Sequence, residues 1–108
     1  MKIGGKDREI KYGVNAIRAF LNTTGKTPQD IINGVVGEVG NIELGVTLIW
    51  AGLLHEDKSL TIDQVGDWLD EEDGLYFKAA QEAAKFFMLA FKRVFGLKEK
   101  EKETPVKN

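Results

Sequence analysis

The longest stretch of this chain without glycine or proline runs from Leu75 to Phe95. Its spacing of apolar and polar residues predicts one helix, ending at Gly96, where glycine can adopt the left-handed conformation. The polar residues form a single narrow stripe: Lys78, Gln81, Glu82, Lys85, Lys92 and Arg93. A surface helix of a bundle needs an apolar arc of only about 100°. The arc here is wider, so the helix is either central or carries a flank that meets another chain.

This apolar arc divides into a face and a flank. The face contains Phe77, Ala80, Ala84, Phe87, Phe91, Val94 and Phe95. The flank contains Tyr76, Ala79, Ala83, Phe86 and Ala90. Aromatic residues supply much of the energy of protein interfaces, and alanines let a second helix approach closely. We therefore predict that the flank contributes to a protein–protein interface, although helical spacing equally allows it to be part of the chain's own core.

Start and stop signals divide the preceding residues into further helices. Periodicity from Val14 predicts a first helix that stops near Gly25. The sequence TPQD, from Thr27, supplies a capping residue, a proline for the first helical position and an acid that favours the positive helix terminus. We expect Asn41 to cap the third helix, within IELGVTLIWAGLLHE, and Thr61 to cap the fourth, IDQVGDWLDEE.

The predicted fold is mainly α, a small bundle of about five helices. The second helix is expected to extend through Val36, weakened by Gly34 and Gly37, before GEVGN breaks it. The sequence GGKD is typical of a turn, so residues 1–12 can form a short N-terminal β-hairpin. We predict a single helical domain over residues 1–96 and a disordered charged tail over residues 97–108, KEKEKETPVKN being almost free of apolar residues.

The sequence offers little for catalysis, so we expect no enzyme activity, no cofactor and no metal. It contains no cysteine, which excludes disulfides and thiolate ligands. Its single histidine, His55, has Asp57 and Ser59 too close along the chain to assume triad geometry. The acidic run DEEDGLYF lacks the spacing of a calcium-binding EF-hand loop, and no phosphate-binding glycine motif occurs.

Charge is unevenly distributed along the chain. Residues 2–18 carry a net charge of +3, residues 56–73 carry −7 and residues 92–107 carry +3. This pattern favours contact between the ends and the middle, or head-to-tail assembly, although a solvated acidic helix face is the simpler interpretation. No segment is basic enough to indicate nucleic acid binding, and no apolar run is long enough to cross a membrane.

The sequence LIWAGLLHEDKSLTIDQVGDWLDE, together with EIKYGVNAIRAF near the start, resembles the tail assembly chaperones of long-tailed bacteriophages and related prophages. In that family an aromatic-Ala-Gly-Leu helix end precedes a His/acidic turn and a Leu-Thr-x-x-x-Val-Gly helix. The resemblance covers about residues 8–72. It concerns helix joints, and we predict that Gly52, His55, Leu60, Thr61 and Trp68 form a structural joint: Gly52 by allowing close packing of another helix, His55 at a negative helix terminus, Leu60 and Trp68 in the core, Thr61 as a cap.

The resemblance implies a protein that binds the tape measure protein, keeps it soluble and helps tail tube subunits assemble around it. It further implies residence in the cytoplasm of the bacterial host, absence from the mature virion and possible oligomers of the chaperone itself. Two alternatives remain open. One is a structural tail or head-completion protein that stays in the virion, and the other is a small helical DNA-binding regulator, against which Asp63, Asp67 and Asp70 argue because they would repel phosphates.

Overall fold

The computed structural model describes residues 1–37 and 41–97. Two short strands, β1 (Lys2–Ile3) and β2 (Lys6–Asp7), pair antiparallel. Five α-helices follow: α1 (Val14–Thr24), α2 (Pro28–Ile32), α3 (Ile42–Leu53), α4 (Ile62–Leu69) and α5 (Leu75–Phe95), with one 3-10 turn at Val35–Gly37. The predicted helical bundle with an N-terminal hairpin is confirmed. Of the predicted charged tail, 97–108, all but Leu97 lies outside the described residues.

The predicted capping residues begin and end the helices. Thr27 and Asp30 form a reciprocal capping box at the start of α2. Asn41 and Thr61 each accept a hydrogen bond from a backbone amide three residues later. Gly25, with φ 74°, and Gly96, with φ 68°, end α1 and α5 in the left-handed conformation. These ends are local in origin, because each cap satisfies backbone groups that a helix terminus leaves unpaired.

The second helix is shorter than predicted. It ends at Ile32, and Gly34 adopts a φ of 96°, which takes the chain out of helical geometry before the turn at Val35–Gly37. Glycine reaches this conformation at little cost, so the prediction of a helix through Val36 is corrected by the backbone of Gly34. The third helix likewise ends at Leu53, a few residues before the predicted limit.

The centre of the bundle is α3, which packs against α1, α4 and α5. Seven of its 12 residues are buried. Above it, Phe87 of α5 is fully buried and makes edge-on aromatic contacts with Tyr12 and Phe20, both at a centroid separation of 5.2 Å. Since α3 occupies the centre, α5 lies on the outside of the bundle, and one side of α5 is exposed.

Candidate interaction surface

The flank predicted on α5 faces largely inward. Ala79 and Ala83 have no exposed surface, and Ala90 is 7% exposed. Because these small side chains let α5 approach α3 closely, their methyl groups are covered by the chain itself. This corrects the prediction for these three residues, whose role here is intramolecular packing.

Tyr76 also belongs to the packing between α5 and α3. A Cβ placed on Gly45 of α3 would overlap the Tyr76 phenol, so the absence of a side chain at Gly45 creates the space that the ring occupies. Partial burial raises the pKa of the Tyr76 hydroxyl above its ordinary value, since burial disfavours the phenolate. Tyr76 is therefore a contact between helices rather than a free anchor.

Phe86, the remaining residue of the predicted flank, lines an open groove of about 790 Å³ between residues 7–12 and α5, and the small exposed part of Ala90 lies in the same lining. We call it the α5 groove and define it by Ile10, Tyr12, Phe86, Leu89 and Ala90. Leu89 is 54% exposed, and Phe86 is half-buried. The groove thus combines a fixed aromatic wall with one large aliphatic side chain open to solvent.

Tyr12 fixes the wall of the α5 groove. Its hydroxyl donates a hydrogen bond to the carbonyl oxygen of Leu48, 2.7 Å away in α3. Burial raises the pKa of Tyr12 well above the ordinary tyrosine value, so the hydroxyl stays protonated and remains a donor. Arg93 of α5 approaches the Tyr12 carbonyl oxygen at 3.4 Å, which links the two walls of the groove at one end.

Arg8 anchors the hairpin beside this groove. Its Nε donates to the Ile3 carbonyl oxygen at 2.7 Å, and its guanidinium carbon lies 4.2 Å from the centroid of the Trp68 ring. Glu56 lies 3.9 Å away as an ion-pair partner. A guanidinium over an indole face is an attractive cation–π arrangement, stronger where water is excluded. The hairpin is therefore held against α4 and the turn after α3.

The residues predicted as a structural joint lie around this anchor. Leu60 is buried, and its carbonyl oxygen accepts a hydrogen bond from the Trp50 indole at 2.9 Å. His55 is exposed, with Nε2 lying 2.6 Å from the Glu9 carbonyl oxygen, so it connects the turn after α3 to the N-terminal segment. Trp68, predicted in the core, is instead half-buried beneath Arg8.

Gly52 allows close packing, but its neighbour differs from the one predicted. A Cβ at Gly52 would lie 2.8 Å from side-chain atoms of both Ile10 and Tyr12. The N-terminal segment, rather than another helix, therefore fits against α3 at this point. Sequence spacing gave no signal for this pairing, because the contact joins residues about 40 positions apart.

A second exposed apolar feature runs along α5. Phe77, Ala84, Met88 and Phe95 share one side of the helix by their spacing. Phe77 is 53% exposed and Phe95 46%, while Ala84 and Met88 are half-buried. The ring of Phe95 lies 4.5 Å from that of Phe91, its neighbour one turn away. We call this row the α5 stripe. Periodicity had assigned Phe77 and Phe95 to the same face as the buried Phe87, so their exposure was missed.

Within residues 1–37 and 41–97, no three histidine, cysteine or acidic residues come together in a way that could hold a metal ion. Across the same residues, no helix combines the length and apolar character needed to cross a membrane. The acids Asp63 and Asp67 of α4, and Asp70 directly after it, are all exposed.

No family model matches the chain, and no curated protein and no solved structure is significantly similar to it.

Proposed function

We propose that this chain is a phage tail assembly chaperone that binds a long helical tape measure protein and keeps it soluble while tail tube subunits assemble. The observation that carries the proposal is the apolar surface left on α5: Leu89 in the α5 groove, 54% exposed, and Phe77 and Phe95 in the α5 stripe. The resemblance of residues 8–72 to this class of chaperone supports the choice of partner.

A helical partner fits the chemistry of the α5 groove. Amphipathic helices bind by laying their apolar face into a hydrophobic groove. Phe86 and Leu89 offer apolar contact, while Glu82 on one helix turn and Arg93 on another lie among the lining residues and offer charges of both signs. Such rim charges select the orientation of a partner more than they add affinity. The α5 groove is thus suited to binding a long helix, a role that requires no catalytic step.

The test is co-expression of the chain with the longest helical protein encoded just downstream. We expect the partner to aggregate alone and to co-purify with the wild-type chain. The variant Leu89→Glu places a charge in the α5 groove and should reduce recovery of the partner. Because Leu89 is already 54% exposed, far-UV circular dichroism and thermal unfolding of the variant should match wild type.

Ile32→Glu is the matched control, since Ile32 is an aliphatic residue of α2 with a similar exposure of 55%. It should leave recovery of the partner unchanged. Equal losses in both variants, or no loss in Leu89→Glu, would show that the α5 groove is not the binding surface. Detection of the chain in purified virions by mass spectrometry would contradict a chaperone and favour a structural tail component.

A further inference from the structure

A second groove of this molecule has lining charges that are all positive. It lies between the start of α1 and the turn after α3, and its charged residues are Lys11, Arg18, Lys58 and Arg93, with His55 beside them. All five side chains are exposed. Within the described part of the chain, none of these lysines and arginines has an ion-pair partner. We call this the basic groove.

The basic groove has an apolar centre. Val14, 57% exposed, and the half-buried Leu54 lie among its lining residues. Val14 is the first residue of α1, and Gly13 before it provides no side-chain cap. The positive end of the helix dipole therefore adds to the charge of the groove. A protein surface that fits this groove therefore presents carboxylates together with an apolar side chain.

The chain carries such a surface itself. A smaller groove between α3 and α4 is lined by Glu43, Asp63 and Asp67 around Ile42, which is 65% exposed. Its charged lining residues are all negative and, among the residues that the structure describes, unpaired. We call this the acidic groove. In sign of charge it complements the basic groove, and Ile42 offers an exposed apolar side chain for the contact.

The two grooves cannot meet within one molecule. Ile42 and Glu43 begin α3, whereas Leu54 and His55 follow its end. A helix of 12 residues is about 18 Å long at 1.5 Å per residue, so α3 holds the grooves apart at its two ends. Only a second molecule can bring an acidic groove to a basic one.

We propose that the occupant of the basic groove is the acidic groove of a second copy of this chain, in a head-to-tail contact. A head-to-tail pair retains a free acidic groove on one molecule and a free basic groove on the other, so the contact repeats and produces either a closed ring or a growing chain of subunits. The acidic groove is small, about 400 Å³, so the contact is weak, concentration-dependent and sensitive to salt. The basic groove shares Lys11, Tyr12 and Arg93 with the α5 groove. Arg18 and Lys58 line only the basic groove, so changes there test this assembly separately from the proposed chaperone activity.

The test is sedimentation velocity of the full chain over a concentration series, at about 50 mM and about 500 mM salt. We expect the average mass of the wild-type chain to rise with concentration at low salt and to fall towards the monomer at high salt. Arg18→Glu/Lys58→Glu balances the two remaining positive charges of the basic groove, and Asp63→Lys/Asp67→Lys makes the acidic groove net positive. Each should weaken self-association by about tenfold or more, since the net attraction between the two grooves is lost.

A mixture of the two double variants tests whether the two grooves can pair between different molecules. Each variant lacks one groove, but together they offer complementary pairs, so the mixture should assemble where neither variant does alone. Lys78→Glu/Lys85→Glu makes the same change in net charge as the basic-groove variant, at exposed positions of α5 outside both grooves. This control should assemble as wild type does, and circular dichroism should confirm that all variants are folded.

Three results would overturn the proposal. The first is a wild-type chain that stays monomeric at low salt over the whole concentration series. The second is loss of assembly in the α5 control equal to that in the groove variants, or no recovery in the mixture. The third is wild-type monomer that binds a short DNA duplex at low salt through Arg18 and Lys58, which would assign the basic groove to phosphates instead.

Discussion

The hydroxyl of Tyr12 donates a hydrogen bond to the carbonyl oxygen of Leu48, across 36 positions of the sequence. Gly52 lies one helical turn further along α3 and leaves the space in which the Tyr12 ring packs. Together these contacts seat the N-terminal segment on the central helix and form one wall of the α5 groove. The integrity of that groove therefore depends on a tyrosine and a glycine far from α5 in sequence.

Gly52→Ala should destabilise the fold. Its Cβ would lie 2.8 Å from atoms of Ile10 and Tyr12, closer than van der Waals contact allows, and relieving such overpacking typically costs about 1–3 kcal/mol. The free energy of unfolding in urea would measure the loss. Gly66→Ala in α4 is the control, because its Cβ would meet only Val46, at 3.9 Å. That change should stabilise by about 0.5–1 kcal/mol, and equal destabilisation by both would refute the close-approach account.

Thr61→Ala should cost about 1 kcal/mol of unfolding free energy. The hydroxyl of Thr61 accepts a hydrogen bond from the Gln64 amide at 3.1 Å, and alanine leaves that amide at the start of α4 without its capping partner. Thr61→Ser keeps the oxygen and should lose much less. Denaturant unfolding of the three proteins under identical conditions provides the comparison; a serine variant as unstable as the alanine variant would contradict a capping role.

At pH values below the ordinary pKa of Asp30, this residue should make the stability of the folded chain depend on pH. The Thr27 amide donates to the Asp30 carboxylate at 2.9 Å, and hydrogen bonds from Thr27 lower the pKa of Asp30 below the ordinary value of 3.8. Because the folded chain holds the carboxylate ionised, the stabilisation is complete above pH 3.8 and is lost as pH falls through the folded pKa. Thermal unfolding between about pH 2.5 and 6 should show that acid lowers the stability of Asp30→Asn less than that of the wild-type chain.

A direct NMR titration of the Asp30 carboxyl provides the independent check on this pH dependence. A pKa at or above 3.8 in the folded chain would contradict the lowered value and the linkage drawn from it.

Two phenylalanines of α5 should respond in opposite ways to truncation. Phe87 is fully buried against Tyr12 and Phe20, so Phe87→Ala should cost about 3–5 kcal/mol or abolish folding. Phe77 is 53% exposed, and Phe77→Ala should cost under about 1 kcal/mol. Thermal and urea unfolding distinguish the two cases; a severe loss in the Phe77 variant would mean that the α5 stripe is covered by the chain itself.

Most helix boundaries could be predicted from the sequence because the interactions that set them are local. A capping oxygen or a glycine in the left-handed conformation acts on backbone groups within a few residues, as at Asn41, Thr61 and Gly96. The error at the second helix has the same local origin, since Gly34 leaves helical geometry where it had been expected only to weaken the helix.

Local signals in the sequence could not predict which side of α5 is buried. Its apolar arc is wider than one neighbouring helix can cover, so periodicity permits several orientations on the bundle. The orientation follows from shape. Ala79 and Ala83 are fully buried, and Gly45 leaves the space for the Tyr76 ring. Phe87 packs against both Tyr12 and Phe20. Leu89 and the α5 stripe are exposed as a consequence of that fit, because close packing depends on contacts between residues distant in sequence.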